Sequence, residues 1–485
     1  MNSTRVWMAG TVLMVLALLL LLAQHWGMSF TNADDPWIVQ LGYDKGLWQG
    51  SLDAAKVQGR FWLVPINILA QLPLLPDSWA FVNVLRMLVN GLVFLGFVLF
   101  CSKLTNRFAA VLMGLVWLAL IDLNSSDFSA IHGYLMMFNL QFIFLFFSFY
   151  LFLDRLDRRE RTGPIIVPYL LYAFAMLAYE PMFFYSLAFP ALYLYRQQGK
   201  KVSLLRHAGN FLRRNWMLVA VMLGYVVLYF GFRKFMATGT RGIDTGGSLD
   251  EIVKTIYLFS IHGFHFELKP LTAAVLEQFS AASVAAALFY ALLVGVALLL
   301  LIPRINDEYA PNTLCRKSSL AVLVFFTLSP NILYGFVEGY RQWANYDPHY
   351  VGNYLSSFPL AMLITLGLLY LVGGSKARQE KILFALILYV FASAAFDNYL
   401  RWEKLADINR RGSAQWQAAL RNLDQRTYPQ DRTTLICAGT TPDHVTGDDR
   451  YWSKYLSRRY AADVRFVSRK VSKAGCDVVL DFSRS

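Results

Sequence analysis

An adjacent pair of carboxylates is the strongest chemical feature of this 485-residue sequence. Asp34 and Asp35 precede Pro36, shortly after the first apolar run. On a helix or a strand, two neighbouring carboxylates point in different directions. In a loop, one carboxylate can face a substrate as a general base while the other accepts a hydrogen bond or binds a metal. The pair therefore permits a divalent cation without requiring one. The alternative is structural, because Asp-Asp-Pro is also typical of a helix start, where carboxylates are favoured.

Basic residues next to apolar segments are candidates for binding a phosphate. Arg60 follows a glycine and precedes two aromatic residues. In that setting a guanidinium can bind phosphate through two hydrogen bonds while the rings lie at the headgroup level. The alternatives for Arg60 are an extended side chain that reaches water or a structural ion pair with the acidic pair. Arg233, Lys234 and Arg341 are further candidates of the same kind.

Three more polar residues are candidates for the same site. Tyr179 and Glu180 stand before Pro181 in a short turn between two apolar runs, at the edge of the membrane or inside it. Ionisable groups at that depth are costly to bury and usually functional. His132 stands in another loop that is predicted to face outward, although a lone histidine is more often structural.

Long apolar segments must position these residues. The chain is 56% hydrophobic and only 16% charged. About 20 apolar residues are needed to cross a bilayer, and this composition excludes disorder, a disulfide-stapled fold and most soluble enzymes. We predict an α-helical polytopic membrane protein with about eleven transmembrane helices, near residues 6–26, 79–101, 108–122, 133–153, 165–179, 181–195, 216–232, 281–302, 319–337, 353–373 and 381–397.

The net charge of +13 follows from the predicted topology. With the N-terminus in the cytoplasm, the cytoplasmic loops contain nineteen basic and six acidic residues, a surplus equal to that of the whole chain. Cytoplasmic loops of membrane proteins are typically rich in Lys and Arg. We therefore expect no nucleic-acid partner, and an odd number of spans places the C-terminus outside.

The sequence divides into a membrane part and a tail. Residues 1–397 form the predicted transmembrane domain, with outer loops at 27–78, 233–280 and 338–352. Residues 398–485 form a predicted extracytoplasmic α/β module, with β-branched runs at 433–437, 464–467 and 478–482 and a helix at 450–460. Cys437 and Cys476 both fall in this module, where a disulfide can form; two buried free thiols are the alternative.

The position of these motifs resembles the GT-C superfamily of integral-membrane glycosyltransferases. An acidic pair follows the first span, and Gly59-Arg60 and the turn at Glu180 come later on the same side. Within that superfamily the chain is similar to bacterial O-antigen glucosyltransferase-type polytopic transferases. The resemblance implies a GT-C-like bundle in the bacterial inner membrane and a single displacement that inverts the anomeric centre. It also implies a polyprenyl-phosphate or pyrophosphate sugar donor within the membrane lipid and a glycan, lipid or protein acceptor.

The resemblance also assigns roles. It makes Asp34 or Asp35 the base that deprotonates the acceptor hydroxyl, as general acid–base chemistry requires. Basic residues would stabilise the leaving phosphate, with Arg60 and Arg341 ahead of Arg233 and Lys234. Glu180 would orient the sugar or the second carboxylate.

Two other functions stay open from the sequence. A lipid-linked oligosaccharide polymerase or ligase would also place arginines on the outer face, but it favours a large, arginine-rich late loop. A lipid-linked sugar transporter or flippase needs charged residues inside several spans. Arg86 and Glu180 are the residues that qualify.

Overall fold

Helices dominate the computed structural model, which describes residues 3–28, 35–71, 78–121, 139–157, 166–178, 180–197, 204–238, 247–262, 264, 278–308, 317–346, 351–373, 377–438, 449–468, 475–480 and 482. The first part of the chain forms α1 (Ser3–Ala23), α2 (Asp35–Gln58), α3 (Leu63–Gln71), α4 (Trp79–Leu104), α5 (Arg107–Leu120), α6 (Asn139–Asp157), α7 (Val167–Ala178), a 3₁₀ helix (Glu180–Leu187), α8 (Ala188–Arg196), α9 (Leu204–Arg214) and α10 (Trp216–Phe235). The second part forms α11 (Leu249–Ile261), α12 (Ala281–Glu308), α13 (Lys317–Leu328), a 3₁₀ turn (Ser329–Asn331), α14 (Ile332–Gly335), α15 (Glu338–Tyr346), α16 (Val351–Gly373) and α17 (Ala377–Asp424). The tail adds β1 (Thr434–Ala438), α18 (Asp449–Arg459), β2 (Val464–Val467) and β3 (Val478–Leu480).

Seven of the described helices are long and apolar enough to cross a membrane: α1, α4, α6, α10, α12, α16 and α17. The other predicted spans are also helical in their described parts, but shorter. They correspond to α5, α7, the 3₁₀ helix with α8, and α13 with α14. The chain is therefore a helical protein with several candidate membrane spans, and the count of eleven stays a prediction.

Helix α5 lies at the centre of the bundle. Residues Phe108 to Leu120 are all buried, and α5 packs against α1, α4, α12, α16 and α17. A helix that is apolar on every side is stable when protein surrounds it. Trp117 stacks on Phe358 of α16, with ring centroids 5.2 Å apart, and donates a hydrogen bond to Ser357. This packing explains how a 14-residue helix can belong to the membrane core.

Charged residues from three successive predicted cytoplasmic loops meet at one end of the bundle. Lys103 Nζ at the end of α4 lies 2.6 Å from Asp154 Oδ1 of α6. Arg196 Nε at the end of α8 lies 3.2 Å from Asp157 Oδ1. The ends of α4, α6 and α8 therefore share one side, as the predicted alternation of the spans requires.

The tail contains the predicted α/β elements. Its strands form a parallel sheet in the order β2-β1-β3, and α18 packs on β2. Cys437 and Cys476 form a disulfide, with their Cα atoms 5.9 Å apart, so the hypothesis of a disulfide is confirmed. Trp416 of α17 stacks on Trp452 of α18 with ring centroids 3.6 Å apart.

A continuous helix and a helix–helix contact connect this module to the rest of the chain. Helix α17 has 48 residues and continues through the predicted boundary at 397 without ending there. At 1.5 Å per residue it is roughly 70 Å long, more than twice the hydrocarbon thickness of a bilayer, so part of it must extend beyond any membrane that it crosses. Helix α18 also packs against α2. The module therefore lies against the segment that begins at Asp35.

Candidate functional site

A small cleft brings together residues from four distant parts of the chain. Its charged side chains are Arg60 after α2, Glu180 at the start of the 3₁₀ helix, and Arg233 at the end of α10. The volume of the cleft is about 40 Å³. Each enclosed water needs about 10–15 Å³ measured in this way, so the cleft holds a few waters. A sugar ring is larger and fits only if some of the lining residues shift. The remaining lining residues are Gln58, Gly59, Pro181, Tyr229, Leu333, Tyr334, Val337 and Tyr340.

The end of α2 positions Arg60. Gly59 adopts a φ of +67°, the left-handed conformation that glycine tolerates best. The Arg60 amide donates a hydrogen bond to the Ala55 carbonyl at 3.0 Å, which closes the helix in the manner of a Schellman motif. The Gly-Arg pair therefore has a local structural reason, because the glycine turns the chain and directs the next residue away from the helix.

Glu180 and Trp62 contact the Arg60 guanidinium. Arg60 Nε lies 3.5 Å from Glu180 Oε1, and these side chains are 17% and 14% exposed. The guanidinium carbon also lies 5.7 Å from the centroid of the buried Trp62 ring. The structural alternative for Arg60 is an ion pair with the acidic pair. An ion pair is present, and among the described side chains its partner is Glu180.

Arg233 is oriented by the helix that carries it. Its Nη1 donates a hydrogen bond to the Tyr229 hydroxyl at 2.9 Å. Tyr225, Tyr229 and Arg233 are four residues apart and therefore share one face of α10. Phe61 packs on Tyr225 with ring centroids 5.6 Å apart. The segment that carries Arg60 therefore contacts the helix face that carries Arg233.

Two predicted phosphate ligands lie away from the cleft lining. Arg341 is 8% exposed and donates a hydrogen bond to the Gly335 carbonyl at 3.1 Å. Its guanidinium also packs on Gly247, where an added Cβ would lie 2.6 Å from Arg341 Cζ. Lys234 is exposed, with its Nζ 5.5 Å from the Phe235 ring.

The acidic pair is described only in part. Helix α2 begins at Asp35, as the helix-start interpretation predicts, but the Asp35 side chain lies outside the described part of the structure. A break at Gly46 (φ 79°, ψ 158°) divides α2 into two arms. A straight helix of this length would separate its ends by roughly 35 Å. The direction of the first arm therefore decides whether Asp35 can approach Arg60.

The other predicted site residues lie outside the described residues: Asp34, His132 and Tyr179. Among the side chains that the structure does describe, no three His, Cys, Asp or Glu residues come together as a metal-binding group. The divalent cation at the acidic pair stays a prediction.

Aromatic residues are the part of the cleft that the sequence reasoning missed. Tyr334 of α14 and Tyr340 of α15 line it, with ring centroids 4.7 Å apart. The four-residue spacing of Tyr225, Tyr229 and Arg233 is a signal that predicts one shared helix face. Tyr334 and Tyr340 lie six residues apart on two successive short helices, a spacing that predicts no shared helix face.

The cleft can bind an anion next to a polar organic group. Two guanidinium groups provide planar donors for a phosphate or carboxylate. The tyrosines add hydroxyl groups and flat apolar surfaces, and Glu180 partly neutralises the positive charge. No protein-family model matches the chain, and no curated protein matches its sequence significantly. The function is therefore argued from the chemistry of the site.

Proposed function

We propose that this protein is a membrane glycosyltransferase that transfers a sugar from a polyprenyl-phosphate-linked donor to a hydroxyl group of a glycan, lipid or protein acceptor. One observation carries the proposal. Arg60, Glu180 and Arg233 come from three segments that are predicted to face outward, and they line one cleft. Converging guanidinium groups are well suited to phosphate recognition. This role accounts for two arginines that an isolated ion pair would leave without a common role.

The tail supports a reaction on the outer face, in a bacterial inner membrane with the N-terminus in the cytoplasm. A disulfide such as Cys437–Cys476 persists in oxidising compartments. The module that contains it packs on α2, which ends beside Arg60 in the cleft. The disulfide and the charge bias of the loops are independent observations, and both favour the same orientation.

An apolar cavity supports a lipid-linked donor. It has a volume of about 340 Å³ and is lined almost entirely by apolar groups, including Phe97, Phe146, Phe326 and Phe358. The 3₁₀ helix contributes Glu180 to the cleft and Tyr185 to this cavity. A hydrocarbon chain could therefore occupy space on the same helix that carries a cleft carboxylate.

The proposed reaction is a single displacement at the anomeric carbon. The acceptor oxygen attacks that carbon, and its proton passes to Asp34 or Asp35 as general base. The bond from the anomeric carbon to the phosphate oxygen breaks, and the lipid phosphate leaves with the electron pair. Arg60 and Arg233 stabilise the negative charge that develops there. Glu180 is a positioning residue that holds the Arg60 guanidinium.

The test is transfer by the purified protein. Asp34→Asn, Asp35→Asn, Arg60→Gln and Arg233→Gln are compared with the wild type for sugar release from polyprenyl-phosphate donors. Arg426→Gln is a matched control, because that arginine is exposed on the tail. We expect the cleft and acidic-pair variants to lose activity while thermal unfolding shows that they remain folded at the assay temperature. Equal transfer by all well-folded variants would contradict the assigned residues.

The same preparations separate the rival functions. A flippase would move labelled donor across a vesicle membrane without releasing sugar. A polymerase or ligase would transfer a whole lipid-linked glycan rather than one sugar. A titration with a divalent cation and a chelator in the transfer assay tests the predicted metal.

A further inference from the structure

Helix α9 is a short basic helix at the opposite end of α10 from the cleft. It spans Leu204–Arg214, directly precedes α10, and packs against α8 and α10. Helix α10 has 20 residues, so its ends are roughly 30 Å apart, about the hydrocarbon thickness of a bilayer. Arg233 lies at one end of this span, and α9 therefore lies at the level of the other membrane surface.

The two faces of α9 differ sharply. At 100° per residue, the polar side chains share one arc and the apolar ones share the opposite arc. The polar arc consists of Arg206, His207, Asn210, Arg213 and Arg214; the apolar arc includes Ala208, Phe211 and Leu212. A strongly amphipathic helix with arginines on its polar face is typical of a helix that lies in the membrane interface.

Buried contacts fix the position of this helix. Phe211 is 7% exposed and packs on Tyr193 of α8, with ring centroids 5.3 Å apart. At the corner between α9 and α10, Asn215 accepts a hydrogen bond from the buried Tyr169 hydroxyl at 2.7 Å. Asn215 also donates a hydrogen bond to the Phe211 carbonyl at 2.8 Å. The bundle therefore holds α9 in place.

The exposed residues around this corner match a membrane surface. Leu212 and Trp216 are 52% and 58% exposed, although both are large and apolar. Arg213 and Arg214, between them in sequence, are also exposed. Tryptophan is typically found at the headgroup level, and exposed leucine beside it is stable when acyl chains cover it. A soluble partner would explain the cations but would leave this apolar side in water.

The stretch of sequence around α9 contains basic residues and no acidic ones. The sequence contains no Asp or Glu from 181 to 243, whereas Arg196, Lys200, Lys201, Arg206, Arg213 and Arg214 fall between 196 and 214. Arg196 pairs with Asp157 of α6. In the sequence, no Asp or Glu lies on α9 or within twenty residues of either of its ends.

We propose that α9 is a binding surface for anionic phospholipid headgroups, with Arg206, Arg213 and Arg214 contacting the phosphates and Leu212 and Trp216 contacting the acyl chains. Each Lys or Arg near an anionic surface contributes about 1 kcal/mol, or about fivefold in affinity. Two exposed arginines alone therefore predict a preference for anionic over zwitterionic lipid of at least about tenfold.

The test measures lipid binding by the purified full chain. Native mass spectrometry follows the titration of detergent-solubilised protein with phosphatidylglycerol or phosphatidylcholine that carry the same acyl chains. The variant is Arg206→Gln/Arg213→Gln/Arg214→Gln. The matched control, Arg421→Gln/Lys454→Gln/Arg465→Gln, removes the same charge from exposed residues of the tail. Arg213→Lys/Arg214→Lys retains the charge.

We expect the wild type to bind phosphatidylglycerol at least tenfold more tightly, and added salt to weaken this preference. The α9 variant should lose most of the preference, while the tail control and the lysine variant keep it. If the α9 variant does not fold, Asn210→Glu adds one negative charge to the exposed polar arc and should reduce the preference on its own. Equal binding of the two lipids by the wild type, or an equal loss in the tail control, would overturn the proposal.

Discussion

Replacement of Arg60 by glutamine, alone and together with Glu180→Gln, tests whether Glu180 acts on the reaction through the guanidinium. Arg60 Nε and Glu180 Oε1 are 3.5 Å apart, and both side chains are more than four-fifths buried. At an effective dielectric constant of about 20, their attraction is about 5 kcal/mol. Removing the two charges from water offsets much of this attraction. We therefore expect a coupling free energy of about 1–3 kcal/mol between Arg60 and Glu180 when the single and double variants are compared in a double-mutant cycle.

The expected kinetics follow from the assigned roles. Arg60→Gln removes a donor to the developing phosphate charge and should lower kcat/KM by about 10²–10³-fold. Glu180→Gln leaves the guanidinium in place but less well oriented, and should lower kcat/KM by about 5–150-fold, the equivalent of 1–3 kcal/mol. The double variant should be no less active than Arg60→Gln, because nothing is left for Glu180 to position.

The assay is the rate of sugar release from a polyprenyl-phosphate donor at several donor concentrations. Glu338→Gln is the matched control, because this glutamate is exposed on α15 and lies outside the cleft lining. Thermal unfolding of each variant shows whether a loss of activity reflects a loss of fold. If the two single effects add within about 0.5 kcal/mol in the double variant, Glu180 acts independently of Arg60 and the reasoning is refuted.

Three further predictions concern stability and pH. Cys437→Ser opens a disulfide between residues 39 apart in sequence; this should destabilise the tail module by about 4 kcal/mol, seen as faster amide hydrogen exchange in β1. Hydrogen bonds from Arg459 lower the pKa of Asp424, at the end of α17 in the tail. The stability that this pair provides is present above the unfolded-state pKa of about 3.9 and is lost as the pH falls through the lower folded-state value. Because Asp424 is 38% exposed, the loss should not exceed about 1 kcal/mol, measured as reduced hydrogen-exchange protection of α18. The Asp424→Asn variant should not show this loss. Gly247→Ala places a Cβ 2.6 Å from Arg341 Cζ, so the guanidinium must shift away from the Gly335 carbonyl. Loss of that hydrogen bond should lower the free energy of unfolding by about 0.5–1.5 kcal/mol, measured by thermal unfolding.

The parts of the fold that depend on local patterns were predictable. The β-branched runs in the tail correspond to β1, β2 and β3, and the helix predicted at 450–460 is α18. The first outer segment was harder, because α2 mixes apolar and polar residues without a clear face and contains a break at Gly46. Helix α17 continues past 397 because nothing in that stretch ends a helix: residues 377–424 contain one glycine, Gly412, and no proline. Hydropathy marks where an apolar stretch ends, which need not be where its helix ends.

The cleft shows which part of a membrane site can be predicted from one sequence. The apolar segments and the loop charges predict a depth and a side for Arg60, Glu180 and Arg233, because each residue stands at the predicted outer end of an apolar run. The four-residue spacing from Tyr229 to Arg233 further predicts a shared helix face. The remaining information is which helices are neighbours around the bundle. That arrangement depends on long-range contacts such as Phe61 on Tyr225, and no local pattern encodes it. Depth and side can therefore be predicted from the sequence for all three residues, whereas their convergence on one cleft follows only from the packing of the helices.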